Sequence, residues 1–105
     1  MTDKRKVLIT GGAGLIGSLM IDNLGDKFEF SSLDLVENPN VHSTVANIDD
    51  FDAIAPAFAG VDTVIHLAAN PSPNGSWESN LQNNFIATYN VFELAKQNGV
   101  KRVIF

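Results

Sequence analysis

Thr10-Gly11-Gly12-Ala13-Gly14-Leu15-Ile16-Gly17 follows the apolar triplet Val7-Leu8-Ile9 and opens a segment in which Leu15, Ile16, Leu19, Met20 and Leu24 recur at helical spacing. An apolar run without alternation is what a strand buried on both faces of a parallel sheet requires. Gly25 stands where a left-handed residue commonly ends a helix. Phe28 to Leu33 forms a second strand, with Asp34 at its carboxyl end. The glycines therefore occupy the turn of a strand-helix-strand unit.

Gly12-Ala13-Gly14-Leu15-Ile16-Gly17 fits G-x-G-x-x-G, and Gly11, Gly14 and Gly17 fit the wider Thr-Gly-x-x-Gly-x-x-Gly form that begins at Thr10. Alone the pattern is a weak signal. Between a strand and a helix, and with Asp34 lying 20 residues beyond Gly14, it becomes the fingerprint of a dinucleotide site. Glycines let the backbone turn tightly and approach a pyrophosphate, while the unpaired amides and dipole at the helix start attract its charge. Asp34 can accept hydrogen bonds from both ribose hydroxyls and repels the extra phosphate of NADP. No Lys or Arg occurs between Lys27 and Lys96 to neutralise that phosphate, so NAD is the expected cofactor. The plainer alternative makes the glycines turn formers and Asp34 a strand-end acid.

Outward from this unit, Leu35 to Asn40 contains Pro39 and is expected as a loop or a single turn. Val41 to Ile48 is a third strand. Asp49 or Asp50 can cap a helix over about 51–58, with Asp52 in its first turn and Gly60 at its end. Val61 to Leu67 is a fourth buried strand. The turn-forming run Asn70-Pro71-Ser72-Pro73-Asn74-Gly75-Ser76 then lies past a strand's carboxyl end, where open α/β sheets place ligands. Leu81, Phe85, Tyr89, Phe92 and Ala95 give a long amphipathic helix from Trp77 to about Asn98, stopped by Gly99, and Val103-Ile104-Phe105 starts a fifth strand. The alternation predicts a doubly wound α/β Rossmann-type parallel sheet with strand order 3-2-1-4-5, one partial NAD-binding domain over residues 1–105 that stops at the fifth strand.

Composition narrows the function. The chain has 105 residues, 45% hydrophobic and 18% charged, enough for one core. Seven basic residues against twelve acidic ones give a net charge of -5 and no stripe to match successive phosphates, so nucleic acid is not an expected partner. The absence of cysteine excludes disulfides and thiolate metal sites, and no metal is expected. No apolar run nears the ~20 residues of a membrane span, and the charged start lacks a signal-peptide core, so a cytoplasmic location is expected.

The glycine segment resembles the opening of the extended short-chain dehydrogenases, the NAD-dependent epimerase/dehydratase family. Asn47-Ile48 resembles the family's Asp-Leu pair that touches adenine, with Asn keeping an acceptor but not the charge. His66-Leu67-Ala68-Ala69 resembles the His-x-Ala-Ala segment whose backbone lines the cofactor. Asn84 to Ala95 resembles the Asn-Val-x-Gly-Thr-x-Asn-Leu-x-Glu-Ala helix, with Ala87 for Gly. The resemblance implies a cofactor site of Gly11, Gly14, Leu15, Ile16, Gly17, Asp34, Asn47, Ile48, Leu67, Ala68 and Ala69. It also implies that Asn84 supports the active site, where the alternative is a polar residue near a helix start. Ser72 to Trp77 and the Thr-Tyr-Asn-Val-Phe-Glu stretch are most similar to sugar and sugar-acid dehydrogenases such as the uronate dehydrogenases, which implies a small sugar-like substrate.

In that family, hydride transfer needs a Ser near the end of the fifth strand and a Tyr-x-x-x-Lys on the next helix. Both would lie beyond Phe105, so no catalytic residue is assigned and this chain alone is expected not to turn over. Tyr89 is followed four residues later by Glu93, and packing within its helix is its expected role. His66 is expected to be a structurally satisfied strand-end histidine, and Trp77 a packing residue under the loop. Ser72 and Asn74 either touch substrate or bond their own backbone. A homodimer through the long helix is the expected assembly. Two other classes compete: a non-catalytic dinucleotide-binding module completed by a partner strand, and a methyltransferase on a similar sheet, which Ile16 among the glycines disfavours. A nucleoside triphosphatase is excluded because no Gly-Lys-Ser/Thr follows the loop.

Overall fold

A computed structural model describes residues 4–68 and 77–105, the side chains of 79–83 excepted. Its strands are β1 (Arg5–Thr10), β2 (Phe28–Asp34), β3 (His42–Val45), β4 (Thr63–His66) and β5 (Arg102–Ile104). They form one sheet in the order β3-β2-β1-β4-β5, parallel at every pairing. The expected order and Rossmann-type class are thus what the chain adopts. Helix α1 (Leu15–Leu24) joins β1 to β2, α2 (Phe51–Ile54) precedes β4, and α3 (Trp77–Asn80) and α4 (Ala87–Gln97) lie between β4 and β5.

Central β1 explains why the sheet carries cores on both faces. Leu8 points one way, into a cluster with Leu33, Ile54, Phe58, Val64, Val91 and Leu94, whereas Val7 and Ile9 point the other way, toward Ile21 and Phe30. Strands covered on both sides have no polar face, which is why Val7-Leu8-Ile9 does not alternate. The register brings Thr10, Leu33 and His66 side by side at the carboxyl edge. The chain leaves β1 toward β2 and β3 and returns to β4 on the other side, so the sheet reverses direction between the carboxyl ends of β1 and β4. Crevices at such reversals are where these sheets bind ligands.

Several local expectations need correction. Gly25 has φ -61 and stays right-handed; among the described residues the positive-φ glycines are Gly11, Gly60 and Gly99. The helix expected over 51–58 is α-helical only to Ile54 and tightens into a 3-10 turn over Ala55–Phe58, where Pro56 cannot donate the bond an α-helix needs. Asp50 caps it, its carboxylate accepting the Ala53 amide. The third strand is shorter than expected, whereas residues 35–41 form a loop, as Leu35 to Asn40 with its Pro39 was expected to do.

The long helix is not uniform: a π-helical segment, Leu81–Ile86, separates α3 from α4. Its apolar stripe is also different from the expected one. Ala87, Val91, Leu94 and Ala95 are buried, while Phe85 and Tyr89 are 63% and 64% exposed. The wide loop turn shifts the inward face by a residue or two, which no periodicity count across 77–98 can register. Trp77 is likewise exposed, and so are Leu15, Ile16 and Leu19 of α1, whose inward residues are Gly17 and Ile21. Among the described residues no helix is long and apolar enough to cross a membrane.

Candidate functional site

The turn after β1 is fastened from both sides before it meets anything else. The Gly11 amide donates to the Leu33 carbonyl (2.8 Å) and the Gly14 amide to the Gly11 carbonyl (3.0 Å). Gly11 has φ +79, and a Cβ there would stand 3.1 Å from the Ala68 amide nitrogen, so a side chain is excluded by both conformation and space. Gly12 lies on Ser32, with room for no methyl: a Cβ would come 2.7 Å from the Ser32 Cβ. A Cβ on Gly17 would meet the Gly11 carbonyl oxygen at 2.7 Å. Gly14 differs, for its nearest obstacle is the Gly11 oxygen at 3.2 Å and the residue is exposed.

This divides the glycine motif by role. Gly11, Gly12 and Gly17 are glycine because the protein packs against itself, and Gly14 is the position whose missing side chain faces outward. Gly14 is also the N-cap of α1, with extended backbone and no side-chain cap, and the first turn of the helix holds no acidic residue. The first amides of a helix have no acceptor within it. The Leu15 and Ile16 amides therefore have no acceptor within α1, and with the positive end of the dipole they form an exposed helix start suited to an anion.

Asp34 closes the far side. Its Oδ2 accepts the Ala13 amide at 3.0 Å and its Oδ1 accepts the Leu35 amide at 2.7 Å. Two lone pairs per carboxylate oxygen leave one on each for a diol. The expected acid thus points at the glycine turn and braces it. Sequence reasoning missed Asn38: 5% exposed, it donates from Nδ2 to the Gly12 carbonyl (2.9 Å) while its Oδ1 accepts the Asn40 amide (3.0 Å). Its only signal was a polar residue beside Pro39, indistinguishable from an ordinary loop residue. Ser32 Oγ, buried beneath Gly12, has no hydrogen-bond partner among the described residues.

Asn47 is exposed beyond β3 and uses its Oδ1 to accept the Asp49 amide, 3.2 Å away. Ile48 packs on the core, and its carbonyl accepts Nδ2 of buried Asn90 at 3.2 Å, which ties α4 to this loop. Leu67 and Ala68 continue from β4 opposite Gly11. Their amides donate to Thr10 Oγ1 at 3.1 and 3.2 Å, and Leu67 also donates to the Thr10 carbonyl. His66 Nδ1 stands 2.6 Å from the same Oγ1, and Nε2 stands 3.4 Å from Thr88 Oγ1. Burial lowers the His66 pKa, so the ring is neutral. Beside it a cleft of about 440 Å³ is lined by His66, Leu67, Ala68, Asn84, Phe85, Thr88 and Phe105. Asn84 thus faces the cleft with the strand-end backbone. Ala69, Ser72 and Asn74 lie outside the described residues.

The crevice therefore joins an uncapped helix start, a carboxylate with acceptor capacity to spare and a mostly apolar cleft along one sheet edge. The family model of the NAD dependent epimerase/dehydratase family matches residues 7–105. The chain belongs to this family. It is 34% identical over 100 residues to the L-arabinose 1-dehydrogenase (NAD(P)(+)) of Haloferax volcanii, covering 95% of this chain and 39% of that protein. It is also 34% identical over 110 residues to that organism's NAD-dependent glucose-6-phosphate dehydrogenase, covering 94% and 41%. Among solved structures it superposes on a uronate dehydrogenase variant from Agrobacterium tumefaciens complexed with NAD, with a TM-score of 0.82, 30% identity, and coverage of 95% of this chain and 39% of that one. The chain thus spans about two fifths of the length of these relatives. The family is NAD-dependent, in agreement with the cofactor expected from Asp34.

Proposed function

We propose that residues 1–105 are a partial domain, the NAD-binding portion of an NAD-dependent sugar or sugar-acid dehydrogenase or epimerase. The observation that carries this reading is the pairing of an uncapped α1 start at Gly14 with the Asp34 carboxylate braced across the same turn. Gly11, Gly14, Leu15, Ile16 and Gly17 hold the pyrophosphate, Asp34 the adenosine ribose, Asn47 and Ile48 the adenine, and Leu67, Ala68 and Ala69 the nicotinamide half. Bound NAD supplies a hydride acceptor. The chain's own contribution is to fix that acceptor beside the cleft, where Asn84 and Thr88 offer polar atoms to a sugar-like substrate and Phe85 and Phe105 supply apolar lining. The proton-transferring Tyr and Lys are not supplied by these residues, since Tyr89 is exposed and has Glu93 one turn on.

Supporting features complete the reading. Phe85 and Tyr89 on the exposed face of the long helix offer a homodimer surface, the net charge of -5 disfavours nucleic acid, and a cytoplasmic location suits a nicotinamide enzyme. A second reading, a non-catalytic module completed by a partner strand, has in its favour that β5 is a sheet edge with Ile104 and Phe105 exposed.

Calorimetric titration of the chain with NAD and NADP tests the main reading. NAD is expected to bind more tightly than NADP, and Asp34→Asn, which removes the charge but keeps one acceptor, is expected to narrow the gap by about tenfold, ~1.4 kcal/mol. Equal or tighter binding of NADP by the unaltered chain refutes the assignment of Asp34.

A further inference from the structure

Thr10 Oγ1 is a three-way junction. It lies within hydrogen-bonding distance of the Leu67 amide, the Ala68 amide and His66 Nδ1. Amides can only donate, and although Leu67 shares its proton with the Thr10 carbonyl, two amides on the lone pairs of Oγ1 direct the hydroxyl's one proton to Nδ1. That fixes the tautomer: the ring nitrogen facing Thr10 is bare, and the ring proton sits on Nε2, directed at Thr88 Oγ1. Thr10 is fully buried and its contact with His66 Nδ1 is shielded from solvent.

We propose that neutral His66 is a positioning residue of the cofactor site: by accepting the Thr10 hydroxyl proton it frees Thr10 Oγ1 to hold the Leu67 and Ala68 amides across from Gly11, and acid releases that wall. The inference rests on the NAD reading above and adds a regulator to the same site. A protonated ring presents N–H on both nitrogens. Thr10 Oγ1 would then face three donors with two lone pairs and must loosen an amide, and the loss falls hardest on Ala68, because the Leu67 amide keeps the Thr10 carbonyl at 3.0 Å. The Ala68 amide adjoins a close approach across the crevice, since Ala68 N stands 3.1 Å from where a Gly11 Cβ would be. A shift there moves the turn that meets the pyrophosphate.

Among the described residues the surroundings offer no charge to offset protonation. Thr10 faces the ring from β1, Thr88 from α4, Asn84 and Phe85 from the π-helical segment, and Phe105 from beyond β5, its ring centroid 6.3 Å away. None is titratable. The other histidine, His42, lies exposed on β3 and apart from this junction.

The test is calorimetric titration of the chain with NAD at about pH 7.5, 6.5 and 5.5. Affinity is expected to be level at the upper two values and then to fall by up to about tenfold per pH unit once His66 protonates. His66→Asn places a carbonyl acceptor where Nδ1 stands and cannot titrate. Whatever its NAD affinity near neutrality, that affinity is expected not to fall further in acid, so the readout is the pH dependence and not the level. Unchanged affinity of the unaltered chain down to pH 5.5, or an equal acid loss in His66→Asn, overturns the proposal. Nitrogen-15 spectra of the imidazoles give a reading independent of any variant's folding: an Nε2–H tautomer for His66 supports the junction, and Nδ1–H overturns it. If the chain binds no NAD at any pH, the cofactor reading fails separately. The junction is then still read by hydrogen exchange of the Leu67 and Ala68 amides, expected to quicken in acid in the unaltered chain but not in His66→Asn; exchange that ignores acid overturns it.

Discussion

The front of the molecule, from β1 through α1 to β2, and the back, from β4 through α4 to β5, meet at the same crevice but are built on opposite terms. In front, the site is made by leaving side chains out: Gly12 and Gly17 touch neighbouring atoms so closely that no methyl fits, and Asp34 and Asn38 fasten the turn through its backbone. At the back it is made by side chains. His66, Asn84, Phe85, Thr88 and Phe105 line the cleft, and aromatic groups stay exposed beside it. A pyrophosphate needs a rigid array of amides, which backbone alone can supply, whereas a variable substrate is recognised by groups that sequence can exchange without disturbing the sheet.

The contrast can be broken most forcefully on α4. Leu94 is 2% exposed within the core, so Leu94→Ala is expected to cost about 2–5 kcal/mol in urea unfolding. Tyr89→Ala, on the exposed stripe of the same helix, is expected to change stability by no more than about 0.5 kcal/mol. A large loss at Tyr89 that depends on protein concentration would show instead that this stripe is covered by a second copy.

In the front turn the expected effects are smaller and divide by position. Gly12→Ala drives a methyl onto Ser32 and is expected to cost about 1–3 kcal/mol, part of which Ser32→Gly in the same chain restores. Gly14→Ala keeps φ near -76 and meets only the Gly11 oxygen, so the fold is expected to hold within about 1 kcal/mol. NAD affinity in that variant is expected to fall by about tenfold or more, because the methyl lies where the pyrophosphate must approach. If both variants lose stability alike, the division of the glycines between packing and binding is wrong.

The same contrast explains what the sequence made legible. Strand order, the turn, and Asp34 at its distance were readable because each follows from local chemistry: unbroken apolar runs, glycines between strand and helix, an acid at a strand end. The inward face of α4 was not, because Leu81–Ile86 is π-helical and the spacing of Phe85, Tyr89 and Phe92 was counted as if the helix were regular. Asn38 was hidden for another reason, its importance being a single bond to Gly12 across 26 residues, which no local pattern encodes. Gly25 misled because a glycine after a helix favours, but does not compel, a left-handed turn; the chain bends there with φ -61.

The smallest expected effect is the pH dependence of stability, and it separates the two regions once more. Burial lowers the His66 pKa, so the unfolded chain binds a proton more readily than the folded one. Stability from this group is therefore fully present above its ordinary value of about 6.5 and declines as pH falls from there toward the lowered folded value, below which the loss is constant. Asp62, at the opposite end of the sheet, is lowered chiefly by its hydrogen bond from the Thr63 hydroxyl; desolvation opposes this, and Lys101, Arg5 and Arg102 each add a smaller lowering. Its contribution is present above about 3.8 and is lost only as pH falls below that. Urea midpoints measured from pH 7.5 downward are therefore expected to fall in two steps, the first removed by His66→Asn and the second by Asp62→Asn. A first step that survives His66→Asn would mean that the histidine is not held neutral at the strand end, and the back of the crevice would then lack the fixed wall that the front already has.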